Sequence, residues 1–168
     1  MSDPKDTLLD LQAYCSTDPR RAKQLGVPWS DGSYSYACDG RMLLRVPRRS
    51  EIAERDTAPG VAHLVAGTSG EEHFPLPLQP LPAFRPCGAC RPLKDSEGNG
   101  ACAECDGTGT VPMVVPVVVG PQYISNLYLA RLHALPGARL ANHPSDKNGP
   151  LHFHFDGGDG VVMPIKKD

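Results

Sequence analysis

The residues best equipped for chemistry in this chain are cysteines. Four of its six stand as Cys87-x2-Cys90 and Cys102-x2-Cys105, with eleven residues between the pairs. A Cys-x2-Cys step lets a tight turn aim both sulfurs at one ion while nearby backbone N–H groups stabilise the thiolates. Four thiolates satisfy the tetrahedral preference of zinc and leave no position open for water, so the spacing predicts a closed structural site. The spacer carries Asp95, Ser96, Glu97, Gly98, Asn99 and Gly100, the chemistry of a hairpin tip. It is shorter than the roughly 15–20 residues common between such pairs, which predicts a compact ribbon. Four thiolates also hold an iron–sulfur centre, and two disulfides would need an oxidising compartment. Zinc is favoured, because nothing in the sequence indicates such a compartment.

Other reactive groups form weaker patterns. Cys15 and Cys38 lack the basic or histidine-rich surroundings that would make a thiol reactive, and are expected as buried small hydrophobes. His152 and His154 lie two apart and should share one strand face, with Asp156 extending the alternation. They could hold a second metal, yet no Glu-x-x-His or comparable partner accompanies them. His63, His73, His133 and His143 are scattered. The glycine-rich Gly157-Gly158-Asp159-Gly160 joins two apparent strands, so a hairpin turn is favoured over a phosphate cradle. Gly67 to Gly70 brings a serine near glycine without the strand–turn–helix context of a hydrolase nucleophile. No catalytic site is expected.

Composition narrows the class. The 168 residues suit one domain, and 40% hydrophobic with 21% charged residues suits a globular one. A net charge of -2 gives no global case for nucleic acid. Local basic groups exist at Arg20, Arg21 and Lys23 and at Arg41, Arg45, Arg48 and Arg49, whose plainer role is a solvated face. No apolar stretch nears the roughly 20 residues that cross a bilayer. The opening Met-Ser-Asp-Pro-Lys-Asp lacks a signal-peptide pattern, so the cytoplasm is the expected compartment and a membrane is not an expected partner.

These residues need elements to position them. Asp3-Pro4 and Asp18-Pro19 each predict a short helix, the first running through Leu8, Leu9 and Leu11, the second stopping at Gly26. Residues 27–32 read as a turn, and Trp29 as a core anchor. Residues 33–38 alternate as a half-buried strand, Asp39-Gly40 turns, and residues 42–46 return. Prolines 75, 77, 80, 82 and 86 predict an extended, polyproline-like strap, more a rigid connector than a ligand. Residues 111–119 predict a strand, interrupted at Pro112 and Pro116. Pro121 predicts the start of the best helix, with Ile124, Leu127, Tyr128, Leu132 and Leu135 on its apolar face. Residues 139–142 and 151–155 read as strands, 142–150 as a polar loop, and 156–160 as a turn into a strand over 161–165. The fold class expected is α+β, a helix packed on an antiparallel sheet, with residues 1–85 and 111–168 as one domain and 86–110 as an inserted zinc ribbon.

Two resemblances add to this. Cys102-Ala-Glu-Cys105-Asp-Gly107-Thr-Gly109 resembles the Cys-x-x-Cys-x-Gly-x-Gly repeat of DnaJ-type chaperones over about twenty-five residues, and implies a zinc ribbon without chaperone activity. The helix after Gln122, the segment 150–155 and Val162-Met163-Pro164-Ile165-Lys166 resemble the end of a bacterial sliding clamp, and residues 36–43 resemble a clamp strand turn. That resemblance implies one clamp-like α+β unit. The chain as a whole is also similar to small phage or prophage-type proteins. Together these features predict a non-enzymatic, zinc-binding accessory protein contacting protein or nucleic acid, with Arg41, Arg45, Arg48 and Arg49 as the candidate contact residues for either partner. The alternatives are a metal-dependent enzyme using His152, His154 and Asp156, or a zinc-stapled subunit of a homo-oligomer.

Overall fold

The computed structural model describes residues 8–55, 62–65, 72–89, 102–141 and 149–166. The protein is mostly sheet with few helices. Its strands are β1 (Trp29–Asp31), β2 (Tyr34–Cys38), β3 (Met42–Pro47), β4 (His73–Pro75), β5 (Phe84–Pro86), β6 (Thr110–Pro112), β7 (Pro116–Val119), β8 (Gln122–Ser125), β9 (Arg139–Ala141), β10 (Leu151–Phe155) and β11 (Gly158–Val162). Seven form one antiparallel sheet in the order β1-β2-β3-β11-β10-β9-β4, while β5–β6 and β7–β8 are separate antiparallel pairs. The helices are α1 (Ala22–Leu25) and α2 (Asn126–His133), and 3-10 turns cover Leu11–Tyr14 and Ala62–Leu64.

The two sheet hairpins follow from local chemistry. At β2–β3, Asp39 Oδ1 accepts hydrogen bonds from the backbone N–H of Arg41 and Met42, and Gly40 takes φ 94°. At β10–β11 the expected turn over 156–160 is only Asp156-Gly157, because Phe155 already pairs with Gly158. Gly158 and Gly160 are strand residues whose missing side chains make room for phenylalanines. A Cβ on Gly160 would collide with Leu43 O and with the Phe153 ring.

The large sheet is covered on both faces. One face packs Leu44, Leu140, Phe153 and Val162 against Leu129, Leu132 and Leu135 of the α2 region and against Leu11 and Tyr14. The other carries Trp29, Tyr36, Cys38, Leu43 and Val161 beneath Val65. Double coverage explains why β2 buries four consecutive residues where alternation predicted a half-buried strand. Trp29 is a core anchor, 2% exposed and stacked on Tyr36 at 5.6 Å, but it sits in a strand rather than a turn. Its neighbour Ser30 shares a buried hydroxyl hydrogen bond with Ser35, and the turn itself falls at Gly32-Ser33.

The main helix starts later than Pro121 suggests. Gly120-Pro121 instead forms the turn of the β7–β8 hairpin, with Val119 paired to Gln122. Ser125 Oγ then accepts from Leu127 N–H and caps α2. Ile124 is buried from a strand, Leu127 stays 39% exposed, and Leu129 replaces it inward. Eight residues are too few for a helix stable by propensity. Burying Leu129 and Leu132 contributes roughly 1.5–3 kcal/mol each, which makes packing the holding force. The predicted strand over 111–119 is likewise divided into β6 and β7, bounded by Pro112 and Pro116. At the N-terminus, Asp3-Pro4 lies outside the described residues, Leu8 and Leu9 are not helical, and a 3-10 turn capped by Asp10 begins only at Leu11. No helix among the described residues is long and apolar enough to cross a membrane.

Candidate metal centre

The cysteine site grows from the β5–β6 ladder. Phe84 pairs with Pro112, Arg85 with Val111 and Pro86 with Thr110, and Cys87 N–H extends the ladder by donating to Gly109 O at 2.9 Å. From the other side, residues 102–105 fold into a knuckle in which Asp106 N–H donates to Cys102 O at 2.8 Å. The chain then reverses through Asp106, Gly107 and Gly109 at φ 49°, 80° and 73°. Left-handed backbone strains any residue with a Cβ, so the two glycines after the knuckle make this reversal possible. Thr108 Oγ1 donates to Cys105 O at 2.7 Å and closes the loop.

The result is a sulfur cluster. The Sγ atoms of Cys87, Cys102 and Cys105 lie within 4.8 Å of one another, with Cys87 and Cys105 buried and Cys102 half-buried. The Cys87 and Cys102 sulfurs are 3.9 Å apart, nearly twice the roughly 2.05 Å of a disulfide bond. Cys15, Cys38 and Cys87 form no disulfide. Glu104 Oε2 approaches Cys87 Sγ at 3.9 Å, adding a carboxylate to three thiols. Three cysteines so placed can coordinate a metal ion. Cys90, the fourth member of the predicted set, lies outside the described residues.

The remaining candidates are placed differently from one another. Cys15 and Cys38 are both buried, and burial pushes both thiols up, Cys15 to about 11. That makes them poor nucleophiles, as their surroundings predicted. His152 is buried and His154 half-buried on β10, and the His73 ring meets His154 edge-on at 4.5 Å. The antiparallel pairing of β4 with β9 brings His73 there, which its isolated place in the sequence gave no sign of. Among the described residues, the cysteine trio is the group of three or more ligating side chains that comes together, and the histidines do not join one. Asp156 packs over Gly137, where a Cβ would stand 2.6 Å from its Oδ1.

The arginines are largely engaged within the fold. Arg45 makes a bidentate ion pair with Asp159 at 2.9 and 2.6 Å, stacks on Tyr34 at 4.4 Å, and is held further toward its charged form by that carboxylate. Arg48 donates to Gly32 O and Glu54, and Arg49 to Leu9 O. Arg21 donates to Asp39 O, and Arg20 pairs with Asp18. Arg41 and Lys23 are exposed.

Two structural residues escaped the sequence pattern. Arg55 donates to Lys23 O and Gln24 O, satisfying carbonyls at the end of α1. Asn126 is buried and ties the segment between β6 and β7 to α2. Its Oδ1 accepts from Val115 N–H at 2.7 Å, its Nδ2 donates to Met113 O, and its N–H donates to Val115 O. The Ser-Asn pair ahead of an apolar helical run was the available signal. A separate cavity of about 290 Å³ is lined by Phe74, Pro75, Val118, Leu140, Leu151 and neighbours, with no acidic, basic or histidine side chain among the described residues of its wall.

Comparison with protein-family models, with curated proteins and with solved structures gives no match for this chain.

Proposed function

We propose that this protein is a non-enzymatic accessory protein in which Cys87, Cys90, Cys102 and Cys105 hold one structural zinc ion. The zinc staples residues 86–110 into a ribbon that serves protein or nucleic-acid contacts. The observation that carries this reading is the sulfur spacing. Zinc–sulfur bonds of about 2.3 Å at tetrahedral angles put neighbouring sulfurs about 3.8 Å apart. Cys87 and Cys102 stand at 3.9 Å. The knuckle's left-handed Gly107 and Gly109 support the likeness to the chaperone ribbon repeat. A filled thiolate shell leaves the metal no open position, so its contribution is folding energy.

The test is metal analysis of protein purified without added metal, beside four variants that each change one of these cysteines to serine. One zinc per chain is expected, falling in every variant. A metal content unchanged by the substitutions would sink the proposal, and iron in place of zinc would reassign the ion.

A further inference from the structure

The cavity of about 290 Å³ shares no residue with the cysteine cluster. Leu140 of β9 and Leu151 of β10 line it, and both belong to the main core, at 2% and 4% exposed. Phe74 and Pro77 line it from the side of β4, and Val118 and Val119 from the β7–β8 hairpin. Protein interiors are close-packed and keep few voids larger than a water molecule. A gap of this size beside a core needs something to hold it open.

Each wall is tied to the body separately. β4 pairs with β9 from His73 to Pro75, and beyond it Pro77 O lies 2.8 Å from His133 Nε2. On the hairpin, Tyr123 O accepts from Ile165 N–H at 2.7 Å, and Val115 O accepts from Asn126 N–H at 2.9 Å. Neither wall can cross the gap without breaking its own hydrogen bonds, so the cavity exists before anything enters it.

Its chemistry narrows the occupant. An apolar cavity of roughly 150 Å³ holds one benzene, so this one has room for roughly twelve non-hydrogen atoms. Among the described residues of its wall none is charged, and an ion entering would lose its hydration without a partner. The polar groups are few. Gln122 is 3% exposed, and its Nε2 donates to Gly149 O at 2.9 Å. Val119 and Gln122 flank the two-residue turn, which makes Val118 and Tyr123 the next, non-hydrogen-bonded pair. Tyr123 O accordingly turns outward to Ile165, and the N–H and C=O of Val118 likewise point away from β8. The wall thus combines an apolar surface with one main-chain donor and acceptor, the mixture typical of small-molecule sites.

We propose that this cavity binds a small uncharged ring compound of about twelve non-hydrogen atoms, bearing one hydroxyl or amide. The rings lie over Leu140 and Leu151 between Phe74 and Val119, and the polar group meets the main chain of Val118. A ring system fits better than a flexible chain of equal volume, because it has less rotamer freedom to lose on binding. Phe74, 40% exposed, gains cover when the site fills. The proposal does not rest on the metal or on the accessory role.

The experiment is an amide NMR titration of the full chain, its metal content measured, with naphthol and with naphthoate as the charged analogue. Naphthol is expected to bind saturably with a Kd of about 1 mM or tighter, and naphthoate at least about tenfold more weakly. The naphthol shifts should concentrate at residues 74–77, 118–122, 140–141 and 149–151. Val119→Phe fills the cavity and should weaken naphthol binding about tenfold or more. Phe74→Ala, at a partly exposed position, should keep the fold and also weaken binding, so the test survives if the larger substitution does not fold. No saturable naphthol binding up to about 2 mM overturns the proposal. So do shifts that spread away from this wall, equal binding of naphthoate, or binding indifferent to Phe74→Ala. Zinc content on serine substitution of the cysteines is read separately, so failure of one proposal does not mimic failure of the other.

Discussion

Asp39 joins the β2–β3 turn to helix α2, and replacing it should cost more than any single surface charge. Its Oδ1 takes the N–H groups of Arg41 and Met42 at 2.8 and 2.9 Å, and its Oδ2 takes Tyr128 OH at 2.9 Å and the Arg131 guanidinium. The side chains of Asp39 and Arg131 are only 12% and 29% exposed. Arg131 also stacks on Tyr14 and Tyr128 and donates to Ala13 O. A hydrogen bond to a charged group contributes about 1.5–3 kcal/mol. The two turn amides can recover water, whereas the phenol and guanidinium are left partly buried. Asp39→Ala should therefore destabilise by about 3 kcal/mol. Asp39→Asn keeps an acceptor for the turn and should lose about 1–2 kcal/mol.

Urea unfolding followed through Trp29 reads this well, because the lone tryptophan sits in the opposite core and reports global unfolding. With a slope of about 2 kcal/mol per molar urea, Asp39→Ala should lower the midpoint by about 1.5 M. A double-mutant cycle with Arg131→Ala should give a coupling of about 1–2 kcal/mol. A midpoint within about 0.25 M of the parent, or a coupling near zero, would refute the view that this network ties hairpin to helix.

Other outcomes are equally checkable. Cys102→Ser should abolish metal retention while Trp29 fluorescence and the main unfolding transition persist, since the sulfur cluster shares no residue with the Trp29 core; collapse of the whole fold would refute a local staple. Gly160→Ala should destabilise by about 3 kcal/mol, the upper range for overpacking, because its Cβ would meet a backbone oxygen and a phenylalanine ring; thermal melting would measure it, and an unchanged midpoint would contradict the β11 register. Tyr128 should ionise near pH 12, pushed up first by burial and then by the neighbouring Asp39 carboxylate. Its folded value exceeds the unfolded value of about 10, so the stability it contributes is complete below pH 10 and declines as pH rises toward 12. Ultraviolet titration of phenolate against Tyr128→Phe would show that late step, and its absence would refute the buried contact.

The parts of this protein legible in the sequence are those encoded within a few residues. Asp39-Gly40 fixes its hairpin because the aspartate caps the turn amides and the glycine takes positive φ. The knuckle at Cys102–Cys105 is legible for the same reason, with Gly107 and Gly109 at the positions the motif requires. Less legible was Pro121, where the signal for a helix start is shared by a hairpin turn; pairing with β7 decided between them. Gly158 and Gly160 read as a turn because space around a strand is invisible to local pattern. Arg45 read as a surface charge because its partner, Asp159, lies 114 residues away.

The sequence by itself determined the candidate metal-ligating residue types, their spacing and the local turns, since these depend on neighbours along the chain. Only the tertiary structure decided that the sheet is covered on both faces, that His73 meets His154, that Asn126 holds the segment between β6 and β7, and that Cys87 lies beside Cys102. Each of these depends on strand order and on segments far apart in sequence. Side-chain period records which residues alternate, but not what will cover them.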